Sequence, residues 1–466
     1  MRASGWTFLA AALLAVPGAA LAEEGTEVRE KVAGLLSRGD RDAAVEVARG
    51  ASEGRPDDVY LRFCLGWALQ ESGRSKEALP HLRAAVEAFP SDARAWNDLG
   101  CALLASGAKD DAAAAFDKAI SLDAALAAAR NNRGVVHEMS GEASDAETRF
   151  LEALDRDPAY PAAHNNLGAL LYERGEGAAA MKHFVAASSA DPSYASPRIN
   201  LGALALDRGD DRSAERLLRE AASAPGARAE AHFNLGILGL RRGDVELART
   251  SFERALALKP EDPDTLNNLG VCHLMRREYR QAEGYFTRSV ARRPDFAQGY
   301  DNLGLSLHRL ASEANDDPAL LDRAEKAFRR EVEIRPTAPY AHYNLGTVLV
   351  ARGRVDDAAS SFRRALDLAP SHAEALNNLG YCLSLETPDR RADPAAELRC
   401  YQQAVEAAPD FADAHRSLAT FYGSVEGHVD YAKAAFHWKE FARLSPGDAE
   451  AQAEAAEALA TIQRLR

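Results

Sequence analysis

Residues 93–126 read ARAWNDLGCALLASGAKDDAAAAFDKAISLDAAL, and this stretch of 34 residues decides how the rest of the chain is read. Gly100 lies inside a helical pattern, where glycine costs about 1 kcal/mol relative to alanine. The same cost recurs at Gly66, Gly134, Gly168, Gly202, Gly236, Gly270 and Gly304, always 34 residues apart, and Gly346 and Gly380 resume the series after one longer step. A penalty repeated this regularly has a structural cause. A second series supplies it: Ala112 has counterparts at Ala78, Ala146, Ala180, Ala214, Ala248, Ala282, Ala324 and Ala358. Small side chains on both of two antiparallel helices let their backbones approach closely.

Around these two series the unit fills in. A large residue recurs at Leu82, Phe116, Phe150, Phe184, Leu218, Phe252, Phe286, Phe328 and Phe362, and is expected to fill the space between neighbouring helix pairs. Pro90, Pro158, Pro192, Pro260, Pro294, Pro336, Pro370, Pro409 and Pro446 stop the second helix, because proline lacks a donor and pushes the preceding residue out of helical geometry. Trp96-x-x-Leu99-Gly100 followed by Ala112-x-x-x-Phe116, with a closing proline in most copies, resembles the tetratricopeptide repeat. The resemblance implies an all-α chain, a right-handed superhelical α-solenoid of helix-turn-helix repeats. It also implies that the first helix of each pair lines the concave side. The expected divisions are a cleaved signal peptide over 1–22, a degenerate repeat over 23–58, eleven repeats over 59–446 and a capping helix over 447–466. Open ends of solenoids need such caps for solubility. Extra residues at Ser312–Leu320, Thr387–Pro394 and near Gly427 are expected to lengthen the turns inside three pairs, as drifted loops or as partner contacts.

Composition bounds what such an array does. Of 466 residues, 47% are hydrophobic and 27% charged, and the formal net charge is −14. The acidic residues are dispersed, so the surface repels phosphate backbones and no nucleic acid partner is expected. The stretch Met275–Arg364 carries Arg276, Arg277, Arg280, Arg292, Arg293, Arg329 and Arg330, either as a solvated helix face or as a binding patch. At the other extreme, Arg2, the apolar run Trp6–Val16 and Ala20-Leu21-Ala22 form the pattern of an export signal cut after Ala22, with a retained anchor as the alternative. The expected location is therefore periplasmic or secreted, with no membrane span in the mature chain. Cys64, Cys101, Cys272, Cys382 and Cys400 match neither a disulfide framework nor a metal motif; Cys382 and Cys400 fall on the two helices of one pair, as buried hydrophobes or as a disulfide.

The candidate binding residues form a row. Asn132, Asn166, Asn200, Asn234, Asn268, Asn302, Asn344 and Asn378 hold the sixth position of eight successive units. A primary amide both donates and accepts, so a row of them can hold the backbone of an extended peptide without reading its side chains. The row is similar to the asparagine ladder of O-linked N-acetylglucosamine transferases, and the same residues also fit shared packing within the family. Where chaperone-binding members place Lys and Arg, this chain has Ala128, Ala162, Glu230 and Asp264, so no carboxylate clamp is expected. His164, His232, His342 and His415 hold the fourth position, where an aromatic packs, and His137 and His273 hold another packing position. No phosphate loop, His-Glu-x-x-His or Gly-x-Ser-x-Gly motif is present, so neither enzyme activity nor cofactor is expected. The function expected is a scaffold binding partner proteins or extended peptides, in envelope complex assembly. The alternative is a structural spacer or regulatory subunit of a secretion or polysaccharide-export machine.

Overall fold

The computed structural model describes residues 23–224, 228–385 and 392–465; the expected export segment 1–22 and most of the insertion Thr387–Pro394 lie outside them. The described residues form 25 helices and no strand. Local chemistry sets where each helix begins and ends. Before the helix Ala93–Ala105, Asp92 Oδ1 accepts hydrogen bonds from the amides of Arg94 at 2.9 Å and Ala95 at 3.4 Å. Asp58 does the same for Val59–Glu71. Such caps satisfy donors that have no partner within the helix. Between the helices Ala93–Ala105 and Lys109–Leu122 the chain turns through Gly107 at φ 92°, a left-handed geometry that side chains resist. In the corresponding turn after Pro263–Met275, Arg277 takes up φ 61° without being glycine.

The chain divides into two compact units, one up to Lys259 and one from Pro260. In the first, Leu82, Phe116, Phe150 and Phe184 form a continuous buried core with alanines from both helix types. In the second, Phe286, Phe328 and Phe362 continue the same pattern. There the last helix, Ala449–Leu465, buries Ala451, Ala455 and Ile462 in a cluster with Trp438 and Phe441.

The glycine and phenylalanine series meet inside each repeat. A Cβ added at Gly100 would stand 2.5 Å from Phe116 Cε1, and one at Gly134 would stand 2.7 Å from Phe150 Cε1. Gly270 and Phe286, Gly346 and Phe362, and Gly380 and Tyr401 repeat the contact at 2.5 Å. The ring therefore rests on the glycine of its own pair, which adds to the expectation that it fills the gap between neighbouring pairs. A flat ring lying on a helix needs a floor without a Cβ, and that explains the repeated helix penalty.

The insertion at Ser312–Leu320 corrects one expectation. Its extra residues go mostly into the helices: Ala297–Glu313 and Pro318–Ile334 have 17 residues each, where Ala93–Ala105 and Lys109–Leu122 have 13 and 14. Pro318 starts the second helix and Asp317 caps it, accepting from the Ala319 amide at 2.8 Å. Extending both partners keeps the added backbone hydrogen-bonded and buries Leu310, Ala311 and Leu321. Near Gly427 the added residues do form a loop, between the helices Ala412–Ser424 and Tyr431–Leu444.

Candidate functional site: the first-helix face

The fourth-position rings explain several of the histidines. Trp96 Nε1 donates to the Pro90 carbonyl at 3.0 Å, across the junction between repeats. His164 Nε2 makes the same bond to Pro158 O at 3.0 Å, His342 to Pro336 O at 2.9 Å and His415 to Pro409 O at 3.2 Å. A carbonyl only accepts, so each of these imidazoles carries its proton on Nε2 and replaces the indole donor. That leaves Nδ1 of His164 and His415 as acceptors for the Nδ1 of His183 at 2.9 Å and His437 at 3.0 Å. Burial, reinforced by His415, brings the His437 pKa down to about 4, which keeps the His437 ring neutral. His137 and Glu142 make a 2.6 Å contact in one turn, and Asp145 lies within 4.8 Å of both. His273 and Glu278 repeat the 2.6 Å pair where Gln281 stands in place of the second acid. The recurrence marks the pair as a clasp between the two helices of a repeat.

The asparagine row is not presented as an open ladder. Asn132, Asn166, Asn200, Asn234 and Asn302 are buried, and Asn268, Asn344 and Asn378 are half-buried. Most of their amides reach the fifth-position residue of the preceding repeat. Asn132 Nδ2 donates to Asn97 Oδ1, Asn166 to Asn131 Oδ1 and Asn200 to Asn165 Oδ1, each at 3.0 Å. Within repeats, Asn131 donates to Asn132 at 3.1 Å, Asn165 to Asn166 at 3.4 Å and Asn97 to the Asp98 carboxyl at 3.2 Å. One directional chain of amides thus runs from Asn200 to Asp98 in the first unit. In the second unit, Asn302 bonds Asn267 at 2.9 Å, Asn344 bonds Asp301 at 2.8 Å and Asn378 pairs with Tyr343. Asn268 instead turns back to its own helix, bonding Asp264 O at 2.9 Å.

Side-chain size at the second position separates a closed stretch of this face from an open one. In the first unit Ala128, Asn131 and Val135, then Ala162 and Asn165, then Ser196 and Ile199, are all buried. In the second unit the corresponding positions carry Tyr340, Glu374, Tyr381 and Asp413, and all four are exposed. Glu374, Asn377, Asn378 and Tyr381 fall at i, i+3, i+4 and i+7 on one helix, Ala373–Ser384, and so share one face. Above it an open pocket of about 470 Å³ is lined by Pro339, Tyr340, His372, Glu374, Asp410 and Phe411, among others.

Two further groups of charges are accounted for. The arginines of the locally basic stretch are largely paired: Arg293 grips both oxygens of Asp264 at 2.9 and 2.7 Å, and Arg288 and Arg292 hold Glu261 at 2.5 and 3.1 Å. Glu325, fully buried, receives Arg329, Arg352 and Arg354, which joins one repeat to the turn of the next. In the first unit, burial pushes the Asp98 and Glu138 carboxyls up to about 8 and Glu71 up to about 7. Glu173 adds to the rise at Glu138, whose two oxygens are buried without a hydrogen-bond partner. All five cysteines are buried, and no disulfide joins them. Among the described residues no helix is long and apolar enough to cross a membrane.

A glycine floor under a ring and amide ties between pairs define an array of helix-turn-helix repeats. The tetratricopeptide repeat profile matches residues 65–127, 131–195, 199–263, 240–297, 316–373 and 343–386, more than half of the chain. The chain belongs to the tetratricopeptide repeat family. No curated protein matches it. Similar solved structures include the Cut9–Hcn1 hetero-tetramer of APC/C, at 15% identity and TM-score 0.45, covering 94% of this chain and 97% of that one. A tetratricopeptide repeat protein of Parabacteroides merdae is 17% identical at TM-score 0.41, over 54% of this chain and 99% of its own. A thermophilic family member from Thermus thermophilus is 26% identical at TM-score 0.33, over 41% and 98%. Arrays of this family are protein-interaction scaffolds, and the fold is one that typically carries no catalysis.

Proposed function

We propose that the chain gathers partner proteins on the open first-helix face of its second unit, while its first unit serves as a self-filled spacer. The observation that carries this reading is the contrast in exposure at equivalent repeat positions of the two units. Small second-position residues shut the first-helix face at Ala128, Ala162 and Ser196, whereas Tyr340 is 67% and Tyr381 47% exposed. Exposed aromatic rings beside charged side chains suit an extended segment of another protein, because they bring large contact area at low entropic cost. Of the asparagine row, Asn344 and Asn378 lie on this stretch and are assigned to contact the partner backbone. Residues 1–22 are assigned as an export signal on the strength of Arg2, the apolar run Trp6–Val16 and Ala20-Leu21-Ala22. The scaffold then works in the cell envelope, in the assembly of a complex or in a secretion or polysaccharide-export machine.

Photo-crosslinking tests the assignment of the face. A crosslinking amino acid at Tyr381 or Asp413 is expected to capture discrete partners from an envelope fraction, and one at Ala162 or Ser196 to capture none. Capture from both sets alike, or from neither, overturns it. Protein recovered from that fraction is expected to begin at Glu23; an intact N-terminus there replaces the cleaved signal with a retained anchor, and absence of the protein from that fraction removes the export assignment.

A further inference from the structure

We infer that the pocket beside Tyr340 is a receptor for an arginine side chain carried by the partner segment, an assignment that rests on the scaffold reading above. Three repeats of the second unit build it: Pro339 and Tyr340 open one first helix, His372 and Glu374 the next, and Asp410 and Phe411 precede a third. Its charge is one-sided. Glu374 and Asp410 line it, and no lysine or arginine is among its lining residues.

Its aromatic content points the same way. His372 stacks obliquely between two tyrosines, with ring centroids 4.8 Å from Tyr340 and 4.9 Å from Tyr343. Tyr340 is nevertheless 67% exposed, so one of its faces is free to take a planar cation. His372 is only 8% exposed, and its Nε2 is buried without a hydrogen-bond partner. Its Nδ1 accepts from the Ala375 amide at 3.4 Å and lies 3.0 Å from Glu374 Oε2, which places that carboxylate beside the ring at the pocket. A guanidinium satisfies this set better than an ammonium, because it stacks flat on an aromatic ring and also presents paired donors to carboxylates. A partner carboxylate or phosphate would instead meet two like charges. The carboxylate clamp known from other members of the family is therefore reversed in sign here.

The test uses the full chain and two blocked peptides, Ac-Gly-Arg-Gly-NH2 and its citrulline counterpart, which keeps the shape of arginine but not its charge. Ligand-observed NMR at low salt gives both dissociation constants. The arginine peptide is expected to bind at least tenfold more tightly than the citrulline peptide, and several-fold more tightly than the lysine analogue. Tyr340→Ala and the pair Glu374→Gln with Asp410→Asn are each expected to erase the preference. Glu53→Gln with Glu87→Gln removes the same formal charge from exposed helix positions of the first unit and is expected to leave the preference intact. Equal binding of the two main peptides overturns the assignment, as does a loss in the control pair matching that in the pocket pair. Either result leaves the scaffold reading standing, since that is judged by partners crosslinked to the unaltered chain.

Discussion

Replacing Asn131 by alanine tests whether the sixth-position amides hold the array together. The substitution removes the donor to Asn132 at 3.1 Å and the acceptor for Asn166 at 3.0 Å. Each such bond contributes about 0.5–1.5 kcal/mol net, and the Asn166 amide left buried without an acceptor costs a further ~1–3 kcal/mol. Asn131→Ala is thus expected to weaken its surroundings by about 2–6 kcal/mol. Asn268→Ala changes a residue whose amide bonds its own helix, and should cost under ~1 kcal/mol. Hydrogen exchange resolved to peptides spanning 127–173 reads the local opening free energy, which suits a repeat array better than a single global midpoint. The cycle Asn131→Ala, Asn166→Ala and the double variant should show a coupling of about 0.5–1.5 kcal/mol. Additivity within ~0.3 kcal/mol, or equal losses at Asn131 and Asn268, refutes the role given to the amide chain.

Gly134→Ala puts a methyl 2.7 Å from Phe150 Cε1 and 3.2 Å from Ala146 O; overpacking of ~1–3 kcal/mol outweighs the ~1 kcal/mol helix gain, and urea denaturation should show a net loss. Glu325→Ala withdraws the buried acceptor of three arginines that are themselves partly exposed and regain water, so a loss of about 1–3 kcal/mol is expected in denaturation of the second unit. The first unit should become less stable as pH rises from about 5 to about 8. Asp98 and Glu138 titrate near 8 when folded and near 4 when unfolded, so the folded form binds more protons in that window and its advantage fades as they ionise. Asp98→Asn with Glu138→Gln should flatten that slope in urea midpoints. His437 has the opposite sign: its contribution is complete above pH 6.5 and is lost as pH falls toward 4, and His437→Gln should remove that dependence from the second unit's midpoint.

The repeat itself was legible because its determinants are local. Gly134, Ala146 and Phe150 occur in one stretch, and their spacing alone implies two helices meeting at a small-residue contact. The asparagine row was equally visible, yet its partners were not. Each acceptor lies one repeat earlier, 35 residues for Asn97, Asn131, Asn165 and Asn267 and 43 for Asp301, and so varies in both type and spacing. The signal available was a polar fifth position, held by Asn97, Asn131 and Asn165. The extended pair at Ala297–Ile334 escaped for another reason. Eight extra residues look like a loop until Pro318 is recognised as the start of a helix rather than the end of one. Whether the first-helix face is shut or open depended on comparing Ala128, Ala162 and Ser196 with Tyr340, Glu374 and Asp413, a contrast in size that no periodic motif records.

The seating of each ring on the glycine of its own pair carries a consequence for how such a protein changes over time. Because the tightest steric fit is internal to 34 residues, a duplicated or deleted block brings its own lock and key, and the flanking blocks meet a familiar surface. Genetic gain or loss of a whole module is then tolerated where a shift of a few residues is not, so overall length becomes a freely adjustable trait while the module stays fixed.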